Sequence, residues 1–269
     1  MFFVLSGFLI TIRYDDPLLP KPTFGQYMRS RFARIYPLYF ILTTVTFFVI
    51  GEWGWVYIAN VTITKGFFDE LKFTGIAQAW SLTVEETFYL LAPLIFLTIR
   101  RFRFAILIWP FVLLAMGVAI FDWKTFTLVY TFFGRSFEFF IGICLAKIYQ
   151  RHPGTTKQEY TWIGIVTLLI CLVVLAIMPH IFIHQLLVPI ATAVLIRGLI
   201  TEDTWVRKFL STKLMELLGK SSYAFYLIHI GVIASLFPVN ALLLFLILNV
   251  VAIALYYIVE RPFQKLLHF

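Results

Sequence analysis

Residues 80–99 read Trp80-Ser81-Leu82-Thr83-Val84-Glu85-Glu86-Thr87-Phe88-Tyr89-Leu90-Leu91-Ala92-Pro93-Leu94-Ile95-Phe96-Leu97-Thr98-Ile99. As a helix rising about 1.5 Å per residue, this run is about 30 Å long, the thickness of a bilayer's hydrocarbon core. Its only charged residues are Glu85 and Glu86. Runs of similar character occupy 35–51, 104–121, 126–146, 161–178, 181–196, 221–237 and 241–259. A ninth, 1–12, is apolar but spans only about 18 Å as a helix. Short loops join the runs, no soluble segment is appended, and no internal repeat is visible. The expected fold is all-α, a polytopic transmembrane helix bundle with about nine membrane segments, residues 1–269 forming a single domain.

Composition supports this reading. The 269 residues are 61% hydrophobic and 13% charged, with a mean hydropathy of +0.90. A soluble domain carries about 45–50% apolar and about 25% charged residues. This chain has too little polar surface to cover itself in water. Soluble enzymes, disordered tails and disulfide-stapled modules are therefore excluded. Cys144 and Cys171 both lie inside apolar runs and offer no disulfide or zinc framework. The net charge of +8 reflects basic loops at a membrane rather than a nucleic-acid partner.

Basic residues set the orientation. Of the 22 Lys and Arg, 18 fall in one alternating set of loops, and only Lys65, Lys72 and Lys124 fall in the other; Arg135 is inside a span. The basic loops are expected to face the cytoplasm, with the C-terminus inside and the chain multi-pass in the inner (plasma) membrane. Trp53, Trp55, Trp80, Trp109 and Trp123 lie near inferred span ends, as an interfacial belt would. On this threading, segment 1–12 runs inward yet begins at Met1. It has no basic region of the kind that opens a signal peptide. The expectation is that part of this helix, and a whole helix before it, are missing; the alternative is a short re-entrant or tilted segment.

Five stretches stand out in order: Phe2-Phe3-Val4-Leu5-Ser6-Gly7-Phe8-Leu9-Ile10, Arg31-Phe32-Ala33-Arg34-Ile35-Tyr36-Pro37-Leu38-Tyr39, Trp80-Ser81-Leu82-Thr83-Val84-Glu85-Glu86-Thr87-Phe88-Tyr89, Ser221-Ser222-Tyr223-Ala224-Phe225-Tyr226-Leu227-Ile228-His229, and Glu260-Arg261-Pro262. Together they resemble the membrane acyltransferase 3 family, which includes O-acetyltransferases of bacterial O-antigen, peptidoglycan and other glycans. The resemblance covers nearly the whole chain. It implies acyl transfer, acetyl for example, from acyl-CoA (acetyl-CoA), a cytosolic thioester, to a hydroxyl of a carbohydrate or lipid-linked glycan of the cell envelope. Membrane lipids are the surroundings, and no metal is implied. The family architecture has ten spans. Its first helix carries an Arg and a His proposed to act in catalysis, and this chain has neither at the corresponding place. If the family chemistry needs that His as base, the chain as written is expected to be inactive. The other readings are a membrane transporter and a non-catalytic fragment.

Acyl transfer needs a base for the hydroxyl, donors for the developing oxyanion, and cations for an anionic donor. Arg31 and Arg34, at i and i+3, share a helix face just before Pro37, which suits the first turn of a span. They read either as a phosphate clamp or as topology anchors like Arg100 and Arg101; the resemblance favours the clamp. Glu85 shares a face with Ser81 and Tyr89, a polar stripe in an apolar run. Its alternative is a buried structural ion pair. Thr83 and Glu86 fit a capping box. Arg135 and Glu138, at i and i+3, read as an intrahelical ion pair, or Arg135 as a site cation. His229, midway along 221–237 with Ser222 and Tyr226 near its face, reads as a packing residue, a site-lining group or a base. His180 and His184 have a metal-like spacing but no carboxylate near in sequence. Ser6 and Gly7 suit close helix packing. No nucleophile elbow, P-loop or dinucleotide fingerprint is present. The expected site is therefore Glu85 and Arg34 as catalytic residues, with Arg31, Tyr36, Trp80, Ser81, Tyr89, Arg135, Tyr226 and His229 binding substrate.

Overall fold

The computed structural model describes residues 2–15, 23–154, 159–177 and 183–267. His180, Lys21 and Lys157 fall outside them, as does the side chain of His184, and with them the proposed His180/His184 pair. The described residues form α-helices joined by short 3₁₀ turns, with one π turn and no strand. The helices are α1 (Phe2–Tyr14), α2 (Phe24–Ile50), α3 (Trp55–Val61), α4 (Trp80–Arg101), α5 (Ala105–Phe121), α6 (Thr125–Tyr130), α7 (Phe132–Arg151), α8 (Tyr160–Ile177), α9 (Ile183–Thr201), α10 (Trp205–Leu210), α11 (Lys213–Ile228), α12 (Val232–Ser235), α13 (Ala241–Leu255) and α14 (Arg261–Leu267). Among the described residues, five helical stretches are long and apolar enough to cross a membrane: Phe24–Ile50, Ala77–Arg101, Thr125–Arg151, Tyr160–Ile177 and Ala241–Leu266. Phe2–Tyr14, Ala105–Phe121 and Leu186–Thr201 are shorter apolar helices. Phe48, Phe104, Phe111, Leu242 and Ile258 are each more than 70% exposed. Lipid, not water, is the solvent that suits such faces. The fold class is that of an all-α membrane helix bundle.

The chain forms two compact units. The first holds α1, α4 from Leu94 onward, α5, and α7 to α10. In it α1 and α7 meet backbone to backbone. A Cβ added to Gly7 would lie 2.2 Å from Phe139 O, and one on Gly142 would lie 2.1 Å from Val4 O. Between apolar helices in lipid, association rests on such close packing, which is the role read for Gly7. Asp15, at the end of α1, is 2% exposed. It pairs with Arg100 of α4 and with Lys147 Nζ of α7 at 2.5 Å. The ends of three helices are thus tied to one carboxylate. Glu202 caps α8, accepting from Tyr160 N at 2.6 Å, Thr161 N at 3.0 Å and Thr161 Oγ1 at 2.6 Å. These fill orphan donors of the first turn.

The second unit holds α2, α3, α4 to Pro93, α6, and α11 to α14. Helix α2 begins eleven residues before the expected span at 35–51. Thr23 and Gln26 form a capping box, with Gln26 N to Thr23 Oγ1 at 3.3 Å and Thr23 N to Gln26 Oε1 at 2.9 Å. Nothing between them and Ile35 breaks the helix, so it continues through polar sequence that hydropathy alone leaves out. Pro37 is therefore in mid-helix, not in a first turn, and deprives the Ala33 carbonyl of its usual donor. In α4, Pro93 does the same to Tyr89 O, which accepts instead from Tyr27 Oη at 2.9 Å.

Three further expectations are corrected. The run 126–146 is not one helix: the backbone at Thr131 is extended between α6 and α7. The run 221–237 is also broken. Helix α11 starts at Lys213 and ends at Ile228, and α12 begins after Gly231, whose φ of 99° is available to glycine at little cost. His229 thus lies just past a helix end. Thr83 and Glu86 do not form a capping box, because the helical path already starts at Ala77. Thr83 Oγ1 instead donates to Ile63 O at 2.6 Å and accepts from Gly66 N at 3.2 Å.

Candidate functional site

The second unit gathers a polar column along α4. A carboxylate in an apolar bundle must be hydrogen-bonded or paired. Glu85 and Tyr89 are each 3% exposed, and the Tyr89 hydroxyl donates to Glu85 Oε1. The i, i+4 spacing puts the two side chains on one face. Arg31 of α2 sits over the Tyr89 ring, its Cζ 4.8 Å from the centroid. One oxygen of Glu86 is enclosed without a hydrogen-bond partner among the described residues, and the charge of Arg31 acts on it.

One turn before Glu85, Ser81 Oγ lies 2.7 Å from the Tyr226 hydroxyl of α11. That hydroxyl also bonds to Gln78 O. A carbonyl can only accept, so Tyr226 donates its single proton to Gln78 and Ser81 must donate to Tyr226. Gln78 returns the contact. Its Nε2 donates to Tyr226 O at 2.9 Å and to Leu227 O at 3.1 Å, capping the last turn of α11. From Ser81 to Tyr89 the column extends about 12 Å along the helix axis.

Further polar groups of this unit join it. Tyr223 Oη donates to Ile35 O at 2.8 Å, close to the break that Pro37 makes in the α2 ladder. Glu260 closes the π turn Tyr256–Glu260 and is 3% exposed. Gln264 Nε2 donates to its Oε1 at 3.0 Å, its Oε2 is enclosed without a partner among the described residues, and the charge of Arg34 acts on it. The π turn displaces one residue from the α register, a feature common at functional sites.

The structure thus brings Arg31, Ser81, Glu85, Tyr89 and Tyr226 together. His229 joins them through a 2.8 Å contact between its Nδ1 and Tyr226 O. Arg34 lies on the same helix as Arg31, and its charge acts on Glu260. Trp80 packs edge-to-face on Tyr130 at 5.0 Å, beside the Lys72 ammonium. Tyr36 stacks between Phe32 at 4.5 Å and Phe40 at 5.9 Å, an aromatic ladder on α2. Arg135 belongs to the first unit, where its Nε is 2.8 Å from Glu138 Oε1 on the same helix. Gln78, Tyr223 and Glu260 were not read as site residues. The signal for Glu260 was a carboxylate directly after the last apolar run, in the stretch Glu260-Arg261-Pro262; Gln78 had none, since only the fold carries it to the end of α11.

Helices of membrane-spanning length around an enclosed column of carboxylates, hydroxyls and arginines define an integral membrane protein with a buried polar interior. The chain belongs to the acyltransferase 3 family, whose acyltransferase domain matches residues 1–261. It is 25% identical, over 98% of its own length and 52% of the relative's, to a Staphylococcus aureus (strain COL) protein provisionally named an O-acetyltransferase. It is 26% identical to the acyltransferase MdmB of Streptomyces mycarofaciens, over 87% of this chain and 67% of that one. It is 23% identical to the peptidoglycan O-acetyltransferase OatA of Listeria monocytogenes, over 89% of this chain and 45% of that one. The chain spans about half the length of the Staphylococcus and Listeria relatives it matches. No solved structure matches.

Proposed function

We propose that this chain is the membrane part of an O-acyltransferase that moves an acetyl or similar acyl group from an acyl-CoA thioester to a carbohydrate hydroxyl of the cell envelope. The observation that carries this reading is the column on α4, with Arg31 over Tyr89, Tyr89 bonded to Glu85, and Ser81 bonded to Tyr226. Arg31 and Arg34 hold the anionic donor, since guanidinium groups match phosphate oxygens in geometry as well as charge. When phosphate arrives it replaces Glu86 and Glu260 as the counter-charge of these arginines. Glu85, held by Tyr89, lines the path of the thioester and positions the incoming hydroxyl. The Ser81 and Tyr226 hydroxyls supply polar contacts at the far end of the column. The positive-inside pattern supports a cytoplasmic Arg end and a Trp80 end at the opposite face. The relatives' names supply the reaction class, and the printed acceptor of the Listeria relative, peptidoglycan, makes a polymeric aminosugar the first acceptor to try.

Acetyl-CoA binding and transfer to a chito-oligosaccharide, measured on the chain in lipid nanodiscs, test this. Arg31→Ala is expected to weaken donor binding at least tenfold, and Arg31→Lys to restore it only in part. Glu85→Gln is expected to bind donor normally and lose transfer. Donor binding unchanged in Arg31→Ala and Arg34→Ala would remove the clamp from the reading.

A further inference from the structure

The break after α11 holds one histidine whose neutral tautomer the geometry determines. His229 Nδ1 is 2.8 Å from Tyr226 O. A backbone carbonyl has no proton to give, so Nδ1 is the donor and the neutral ring carries its lone pair on Nε2. No described residue hydrogen-bonds to that Nε2. The ring is held from two sides, stacked on Phe225 at 5.7 Å and 10°, and tilted against the Tyr226 ring at 6.0 Å. The Tyr226 carbonyl also receives Gln78 Nε2, so Gln78 and His229 share one acceptor. Those contacts orient the Gln78 amide as well, and its Oε1 is enclosed with no donor among the described residues. Gly231, at φ 99°, keeps the chain from continuing as helix over His229. The ring remains partly accessible.

We infer that His229 is the proton acceptor for the hydroxyl that is acylated, with Gln78 Oε1 receiving a second hydroxyl of the same sugar. This rests on the acyl-transfer reading above and adds to it the base and the acceptor subsite. The hydroxyl proton passes to Nε2 as the oxygen attacks the thioester carbon. A C–O bond forms, the C–S bond breaks, and the leaving thiolate takes the proton from the imidazolium. The Nδ1–H bond to Tyr226 O steadies the ring in the required tautomer and stabilises the imidazolium while it exists. Tyr226 then has two functions: its carbonyl orients the base, and its hydroxyl, with Ser81, borders the reacting centre.

The test separates the two ring nitrogens. In His229→Asn the side-chain amide keeps a donor close to the position of Nδ1 but has no acceptor at Nε2. In His229→Ala both are lost. With acetyl-CoA and chitotriose in nanodiscs, His229→Asn is expected to keep its melting temperature and acetyl-CoA affinity while transfer falls at least 100-fold. Added imidazole is expected to restore part of the activity of His229→Ala. Transfer within threefold of the unchanged chain in His229→Asn would overturn the inference and leave the acyltransferase reading intact. No transfer to any hydroxyl by the unchanged chain would instead count against the acyltransferase reading. In that case peptide mapping after diethylpyrocarbonate treatment decides the subsite. Protection of His229 by chitotriose supports it, and equal modification with and without the sugar overturns it.

Discussion

Lys65 is a lysine in the connection between α3 and α4 that is 0% exposed. Its Nζ donates to Thr74 O at 2.7 Å and Ile76 O at 2.6 Å. These bonds close the loop just ahead of Gln78, whose amide meets the end of α11. Burial penalises the ammonium and pushes its pKa from 10.5 down to about 7. In the unfolded chain the same side chain stays protonated to about pH 10.4. Between those values the unfolded state binds one more proton, so unfolding free energy rises with pH. Below about pH 7 both states are protonated and Lys65 contributes no slope. Each pH unit in the window is worth about 1.4 kcal/mol, so the ceiling is about 5 kcal/mol. Lys65→Met removes the titration and leaves two carbonyls without a donor, a constant cost of about 1–3 kcal/mol for each. Melting of both proteins in nanodiscs from pH 6 to pH 10 is the assay. The unchanged chain is expected to gain stability relative to Lys65→Met as pH rises through 7–10, by more than 1 kcal/mol in all. Parallel curves would refute the assignment of Lys65 as a desolvated, titrating staple.

Two further outcomes follow from the first unit. Gly142→Ala drives a methyl into Val4 O, 2.1 Å from its ideal position. Because backbone rather than a flexible side chain must give way, a loss of at least about 1–3 kcal/mol is expected, read as a lowered melting temperature; Gly219→Ala, which meets nothing within 4 Å, is the matched control. Glu202→Ala uncaps α8 and is expected to cost about 1–2 kcal/mol, with faster hydrogen exchange at Tyr160 and Thr161 than in the rest of the helix.

The membrane class was legible because it depends on composition and run length, which tertiary contacts do not alter. The run 80–99 is helical as read, and the stripe of Ser81, Glu85 and Tyr89 is a direct consequence of helical periodicity. Helix ends were less legible. Hydropathy placed the start of α2 at Ile35, whereas the Thr23–Gln26 capping box and uninterrupted helical sequence place it at Phe24. The same reasoning made 221–237 one span, while Gly231 divides it. Lys65 counted only as a loop charge, since nothing local marks a lysine for complete burial.

The bare order of residues was enough to establish apolar helices, the placement of charge between them, and which polar side chains share a helical face, because each depends on spacing along one element. Which carboxylate answers which arginine depended on the folded chain. So did the donation of Tyr27 to the carbonyl freed by Pro93 and the meeting of Gln78 with the end of α11. The last of these joins positions 149 residues apart in sequence, and no local periodicity encodes a distance of that kind. The tautomer of His229 belongs with them, because it is set by a carbonyl that α11 leaves unpaired only where the helix ends.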